Sequence, residues 1–278
     1  MKALICEGGG FKTAFTAGVL DAWISAKYVP FDIFLGVSGG AVVMASYTVE
    51  QYKRGWELVS ELQSDASLTS FSRFVKGGYF LELDLIECIW DRITPFNEER
   101  ANQLVQNKIV EFSCTDLHTG EPVFIRPEKG SDWKKYLRAT STLPVVSKCP
   151  LIIENQELVD GVFSAPIPIQ RAIALGATDI TIIRTNLDDN AWGTRTSKMM
   201  SNYLLKNNFP AINRLMQMED EIYQQAAFLI KNPPNGVHIQ TIVPQEMQSK
   251  VLNTKSEALK SDYRAGLEEG LDFLKKCS

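Results

Sequence analysis

Short apolar runs that end in glycines alternate with stretches of helical period through the first fifty-five residues. "KALIC" (2–6) predicts a buried strand that stops at "EGGG". "TAFTAGVLDAWISAKY" (13–28) puts Phe15, Val19, Ala22 and Trp23 on one stripe, which predicts a helix. "FDIFLGV" (31–37) is a second buried strand, again ending at glycines, and "GGAVVMASYTVEQYKRG" (39–55) reads as the helix after it. Strand, glycine turn and helix, repeated, is the pattern of a parallel α/β sheet.

The pattern changes further along. Residues 56–108 mix helical and loop character and carry Phe71, Phe74, Tyr79, Phe80, Trp90 and Phe96. Residues 109–126 read as a hairpin turning at "HTGE", 133–143 as a short helix ended by Pro144, and 150–163 as a second hairpin around "ENQE". "PIPIQRAIALG" (166–176) is a helix with Gly176 as its C-cap, and "DITIIRT" (179–185) is a strand. A polar stretch at 186–198 reads as a surface loop. Helices then run to about Lys231, with a strand at 237–243 beyond "NPPNG". The last helix, from about Ser256 to Lys276, carries Leu259, Tyr263, Leu267, Leu271 and Leu274 and is expected to pack on the sheet. No repeat or linker interrupts the chain, which predicts one domain over residues 1–278.

Composition narrows the function classes. With 278 residues and a formal charge of −4, the chain can bury a sizeable core and carries no electrostatic footprint for nucleic acid. Cys6, Cys88, Cys114, Cys149 and Cys277 are scattered and odd in number, which argues against a disulfide framework or a cysteine zinc site and for a reducing compartment. The first apolar run is broken by Glu7, too soon for a signal-peptide core, and no run approaches the ~18 apolar residues of a spanning helix. A soluble, cytoplasmic protein is expected.

The chemistry concentrates in the glycine turns. Gly36-Val37-Ser38-Gly39-Gly40 fits G-x-S-x-G, in which a sharp strand-to-helix turn lifts a serine hydroxyl above the sheet. The competing reading is a tight structural turn. Gly8-Gly9-Gly10 offers amides that can converge on an oxyanion. Nucleotide loops do not fit: Phe11 precedes Lys12-Thr13 where a Walker A loop needs glycine, and Thr13 occupies the third glycine of a dinucleotide fingerprint. A nucleophilic serine needs a base. His118 lies in a hairpin turn, His238 lies in a late strand, and Asp160 in "LVDGVF" is either a turn residue or a desolvated base.

Four segments in order resemble the patatin-like phospholipase family: "EGGGFKTAFTAGVLDAW", "GVSGGA", "ATSTLPVVSKCP" and "DGVFSAPIPIQRAIALGA". "SRFVKGGYFLELDLI" and "DYRAGLEEGLDFL" echo the bacterial branch, so the likeness spans essentially the whole chain. The resemblance implies a three-layer α/β/α fold with a mainly parallel sheet. It also implies a Ser-Asp dyad without catalytic histidine: Ser38 as nucleophile, Asp160 as general base, and Gly8, Gly9, Gly10 and Gly39 as the oxyanion hole. Acyl transfer to Ser38 followed by hydrolysis would require no metal and no cofactor. Three positions depart from the pattern. Thr13 and Val162 stand where many relatives have glycine, and Gly39 replaces a common alanine. Thr13 and Val162 are expected to narrow the site without removing a catalytic atom.

The resulting expectation is a serine hydrolase of lipid carboxylic esters, phospholipids or lysophospholipids. Its expected partners are a lipid or small ester substrate and, for a lipid, a membrane surface touched transiently. The alternatives are a non-catalytic acyl- or anion-binding protein and a Ser-His esterase using His238. Lys12 has two readings, a head-group contact and a loop-shaping residue. Arg54 reads as a last-turn cation of the helix after Ser38. The aromatics between Phe71 and Phe96, within an insertion at 56–108 that flanks the acyl site, are acyl channel, flap or core, with core the usual use. Cys6 reads as a small buried filler.

Overall fold

The computed structural model of the protein describes residues 1–187 and 202–277. The polar stretch read as a surface loop at 186–198 therefore lies, from residue 188 onward, outside the described residues.

The strands are β1 (Lys2–Cys6), β2 (Ile33–Val37), β3 (Ile109–Asp116), β4 (Pro122–Ile125), β5 (Leu151–Ile153), β6 (Gln156–Asp160), β7 (Asp179–Ile183) and β8 (His238–Ile242). They form one sheet in the order β5-β6-β3-β2-β1-β7-β8, with β4 on the far edge of β3. The β3-β2-β1-β7-β8 block is parallel, and β4, β5 and β6 add antiparallel pairs. Strands buried on both faces carry continuous apolar runs, as "KALIC" and "IFLGV" do.

Alternation along these strands divides the core. Leu4, Cys6 and Phe34 face one layer, made by α1 (Thr13–Ser25), α2 (Gly39–Thr48) and α3 (Arg54–Ser64). The excursion that follows holds α4 (Phe71–Val75), α5 (Asp84–Arg92) and α6 (Glu98–Asn107), and α7 (Trp133–Ala139) comes after β4. Ala3, Ile5, Ile33, Leu35, Ile180 and Ile182 face the other layer, where α8 (Ile169–Ala174) supplies Ile169 and Ala172. Beyond α9 (Pro210–Gln217), α10 (Glu219–Lys231) adds Tyr223 and Ala226 to that layer. The result is the expected three-layer α/β/α architecture with a mainly parallel sheet.

Two local expectations need correction. The helix after Ser38 ends at Thr48, because Glu50 and Lys53 take left-handed φ values of 55° and 64°. Arg54 accordingly opens α3 and is fully buried. Its guanidinium stacks 3.8 Å from the Trp90 ring centre and donates to the carbonyls of Thr94 (2.8 Å) and Trp90 (3.3 Å), so it is no last-turn cation. The last helix, α11 (Ser256–Cys277), packs chiefly on α1 and touches the sheet at β8. A Cβ on Gly18 would come within 2.1 Å of the Tyr263 carbonyl, and one on Gly266 within 2.1 Å of the Phe15 carbonyl, so two backbones touch there. Trp23 Nε1 donates to the Gly270 carbonyl (3.2 Å) and the Tyr263 hydroxyl to Asp21 (2.7 Å) across the same seam.

Candidate active site

Strand register brings the two chemical residues together. Val37, the last residue of β2, pairs with Ser113 of β3, and Asp160, the last residue of β6, pairs with Cys114. Cys114 and Thr115 also pair with β4, as do Phe112 and Ser113, so β2 and β6 both occupy the opposite edge of β3. The two strands run toward each other along that edge and stop one residue apart. Ser38, next after Val37, thus comes beside Asp160, close enough for its hydroxyl to pull the Asp160 pKa down against burial.

Ser38 sits at φ 51°, ψ −132°, a strained conformation for a residue with a side chain, between β2 and the first turn of α2. The turn is tight because its flanking glycines allow it. A Cβ on Gly36 would lie 2.5 Å from Ala41 Cα, and one on Gly40 2.3 Å from the Glu7 carbonyl oxygen. The Ser38 amide donates to the Thr140 hydroxyl (3.0 Å), which itself donates to the Ser113 carbonyl.

Asp160 is buried at 2% exposure. Its Oδ1 accepts from the Val162 amide (2.9 Å), and its own amide donates to the Thr142 carbonyl (2.8 Å). Burial pushes the carboxyl up from 3.8 to about 7, against the opposing pull of the Ser38 hydroxyl and the Val162 amide. Three residues directly after α7, Thr140 to Thr142, therefore hold both sides of the pair. The sequence marked "ATSTL" only as a segment of small residues, since its role depends on tertiary contact.

Gly9, Gly10 and Gly39 line the cavity in front of Ser38. Among the described residues their amides donate to no backbone carbonyl, and Gly39 opens α2, where helix amides are unpaired and the dipole favours negative charge. Gly8 is outside the lining, and a Cβ there would lie 3.1 Å from the Ser38 Cβ and 3.2 Å from the Val37 carbonyl oxygen. Lys12 is half-buried and outside the cavity lining; burial lowers its pKa while the charges of Glu7 and Asp262 oppose that shift. In the sequence Glu7 reads only as a break in an apolar run. It is fully buried, and its Oε2 accepts from the amides of Thr185 (2.8 Å) and Asn186 (3.2 Å) and pairs with buried Arg184 at 3.7 Å. The Thr185 hydroxyl donates to the Gly8 carbonyl. This buried cluster ties the glycine loop to the end of β7.

The cavity is about 230 Å³ and mostly apolar, with Thr13, Ser141 and Glu219 the polar residues of its lining besides Ser38 and Asp160. Its wall comes from Val42 of α2, Val59 and Leu62 of α3, and Leu68, Leu81, Leu83 and Ile86 of the excursion. Aliphatic residues of 56–108 line it, not the aromatics. Trp90 and Phe96 pack in the core beside Arg54 and Trp133, while Phe71, Phe74 and Tyr79 are exposed. Thr13 and Val162 both reach the lining.

His238 stands elsewhere. It pairs with Asp179, which pairs with Lys2, at the start of the parallel strands, whereas Ser38 follows the end of β2. About six residues of rise at ~3.3 Å, and three strand spacings of ~4.8 Å, separate them. A Ser-His pair through His238 is thus excluded by topology. His118 is exposed in its turn and faces Glu157. Cys6 is buried, and burial pushes its thiol up. Among the described residues no group of three or more His, Cys, Asp or Glu side chains is placed to hold a metal ion, and no helix is long and apolar enough to cross a membrane.

Comparison with known proteins adds independent findings. The family model of the patatin-like phospholipases matches residues 4–173, a span that includes both Ser38 and Asp160. A second family model, described as a domain of unknown function (DUF6363), matches residues 209–278. A protein of Escherichia coli (strain K12), YjjU, described as uncharacterized, is 29% identical over 275 residues, covering 98% of this chain and 76% of its own. Among solved structures, VipD from Legionella pneumophila aligns over 99% of this chain and 67% of its own, with a TM-score of 0.49 and 12% identity.

Proposed function

Because the chain belongs to the patatin-like phospholipase family, we propose that it is a serine hydrolase of lipid carboxylic esters working through a Ser38–Asp160 dyad. The observation that carries this reading is the juxtaposition, in one cavity, of a strained Ser38 and a buried Asp160 whose carboxyl is raised to about 7. A base with a pKa near the working pH is the most effective kind.

The proposed reaction runs in two stages. Ser38 Oγ attacks the ester carbonyl carbon as Asp160 accepts the hydroxyl proton. The carbonyl oxygen becomes an oxyanion facing the amides of Gly9, Gly10 and Gly39, at the positive end of α2. Collapse breaks the ester C–O bond, and Asp160 returns its proton to the departing alcohol. Water then attacks the acyl-enzyme with Asp160 again taking a proton, and the fatty acid leaves as Ser38 is regenerated. The apolar wall from Val42 to Ile86 fits an acyl chain, which favours a lipid phospholipase or lysophospholipase role over a polar ester. A purely acyl-binding protein would use that wall but would have no use for the strained serine or the raised carboxyl.

We further propose that residues 1–278 act as one domain, because α11 is wedged onto α1 directly behind the glycine loop.

The test is fluorophosphonate labelling read by intact mass. A single adduct on the wild type, none on Ser38→Ala and a strongly slowed adduct on Asp160→Asn are expected. An unlabelled wild type would overturn catalysis and leave acyl binding.

A further inference from the structure

We propose that the excursion between Leu68 and Leu81 is a docking element for an anionic lipid surface, holding the cavity against the bilayer. The proposal rests on the lipid-ester reading of the site and adds the surface by which substrate is reached.

The excursion is closed at its base. Thr69 and Leu81 form an antiparallel bridge, the Ser70 amide donates to the Phe80 carbonyl (2.9 Å) and the Glu82 amide to the Leu68 carbonyl (2.8 Å). Leu68 and Leu81, at that base, line the catalytic cavity. The tip does the opposite and faces solvent with apolar side chains. Phe71 is 72% exposed, Val75 68%, Tyr79 41% and Phe74 38%. Clustered exposed apolar groups of this size mark an interaction surface.

The tip is also built to stay in shape. Arg73 donates through its guanidinium to the carbonyls of Tyr79 (2.7 Å), Ser67 (3.0 Å), Phe80 (3.2 Å) and Leu68 (3.3 Å), so the backbone is fixed and the rings are carried outward. Charge points to the occupant. Between Asp65 and Glu82 the only charged residues are positive, Arg73, whose guanidinium is held by backbone carbonyls, and the exposed Lys76, in a chain of net charge −4. Aromatic and aliphatic side chains flanked by cations suit the interface of an anionic bilayer. The element that would touch lipid is continuous with the cavity that would receive its acyl chain.

The experiment is sedimentation of the full chain, in a Ser38→Ala background, with phosphatidylcholine vesicles with and without phosphatidylglycerol. It is paired with activity assays in the wild-type background. Binding that strengthens with phosphatidylglycerol and weakens about tenfold or more in Phe71→Ser/Phe74→Ser is expected, because two large exposed rings are removed. The same double variant should hydrolyse a soluble p-nitrophenyl ester as the wild type does and vesicle lipid much more slowly. Equal vesicle binding by wild type and double variant would overturn the proposal. So would a wild-type dimer that the double variant converts to monomer, which would assign the patch to a second copy of the chain. Loss of esterase activity alone, with tip-dependent binding intact, would instead count against the catalytic reading.

Discussion

Val37 and Asp160 lie on the same edge of β3, opposite the consecutive residues Ser113 and Cys114, and end two strands whose C-terminal ends face each other. The Ser38–Asp160 pair is therefore a product of sheet register. No loop has to carry either residue to the other.

Thr140 locks that junction by accepting from the Ser38 amide and donating to the Ser113 carbonyl. Thr140→Val keeps the shape and removes the hydroxyl, leaving two buried polar groups unpaired at ~1–3 kcal/mol each. Stability should fall by about that much, and fluorophosphonate labelling of Ser38 should slow at least about tenfold. Thr140→Ser should recover most of both. Labelling that proceeds at the wild-type rate in Thr140→Val would show that the strained turn holds itself.

Asp160 links activity and stability to pH in opposite directions. As the proposed base it must be ionised, so the rate of Ser38 labelling should rise with pH through about 7. Its folded pKa lies above the ordinary 3.8, so the fold prefers the protonated form. That preference stabilises fully below about 3.8 and is lost as pH rises through about 7. Asp160→Asn should accordingly be inactive yet more stable than the wild type at pH 8, by up to about 4 kcal/mol. The difference should shrink toward pH 4. Urea unfolding at both pH values measures it, and a variant less stable at pH 8 would refute the raised pKa.

Much of this was legible in the sequence, and the reasons differ by element. β1, β2 and the β3–β4 hairpin showed as apolar runs cut by glycine or turn residues, because pattern reports burial directly. Ser38 and Asp160 stood out as candidates through motif spacing combined with family likeness, and their meeting in space depends on the register of β2 and β6 on β3. Arg54, Glu7 and Thr140 were not legible, because each is defined by what packs on it from distant parts of the chain: Trp90, Arg184 and Ser113. The aromatics of 71–96 divide between core and surface for the same reason. Periodicity states that a side chain is apolar, whereas only the tertiary fold decides that Trp90 is covered and Phe71 is not.

Thr13 and Gly39, two departures from the family pattern, compensate each other. A Cβ on Gly39 would lie 3.0 Å from the Gly10 carbonyl oxygen and 3.2 Å from both Cγ2 and Oγ1 of Thr13. The Thr13 hydroxyl is occupied in turn, donating to that same carbonyl at 2.6 Å. Thr13 thus fills the space that an alanine at 39 would use. Gly39→Ala alone should lower stability by about 1 kcal/mol and slow Ser38 labelling, and Thr13→Gly in the same chain should restore the labelling rate. A double-mutant cycle should give a coupling of ~0.5–3 kcal/mol. Strictly additive effects would separate the two positions.

The seam between α1 and α11 offers a direct test of whether the last seventy residues, which a separate family model matches, fold with the rest. A Cβ at Gly266 would lie 2.1 Å from the Phe15 carbonyl oxygen and 3.1 Å from Gly18 Cα, backbone that has no free end to swing away. Gly266→Ala must therefore push the helices apart, straining the Tyr263–Asp21 and Trp23–Gly270 hydrogen bonds, at a cost of about 3 kcal/mol. If the chain is one cooperative unit, thermal unfolding should remain a single transition at a lower temperature. Labelling of Ser38 should then be lost at that same temperature, because α1 begins directly after Lys12 of the glycine loop. Two transitions, of which only the one without loss of labelling moves, would show instead that α11 belongs to a separate unit.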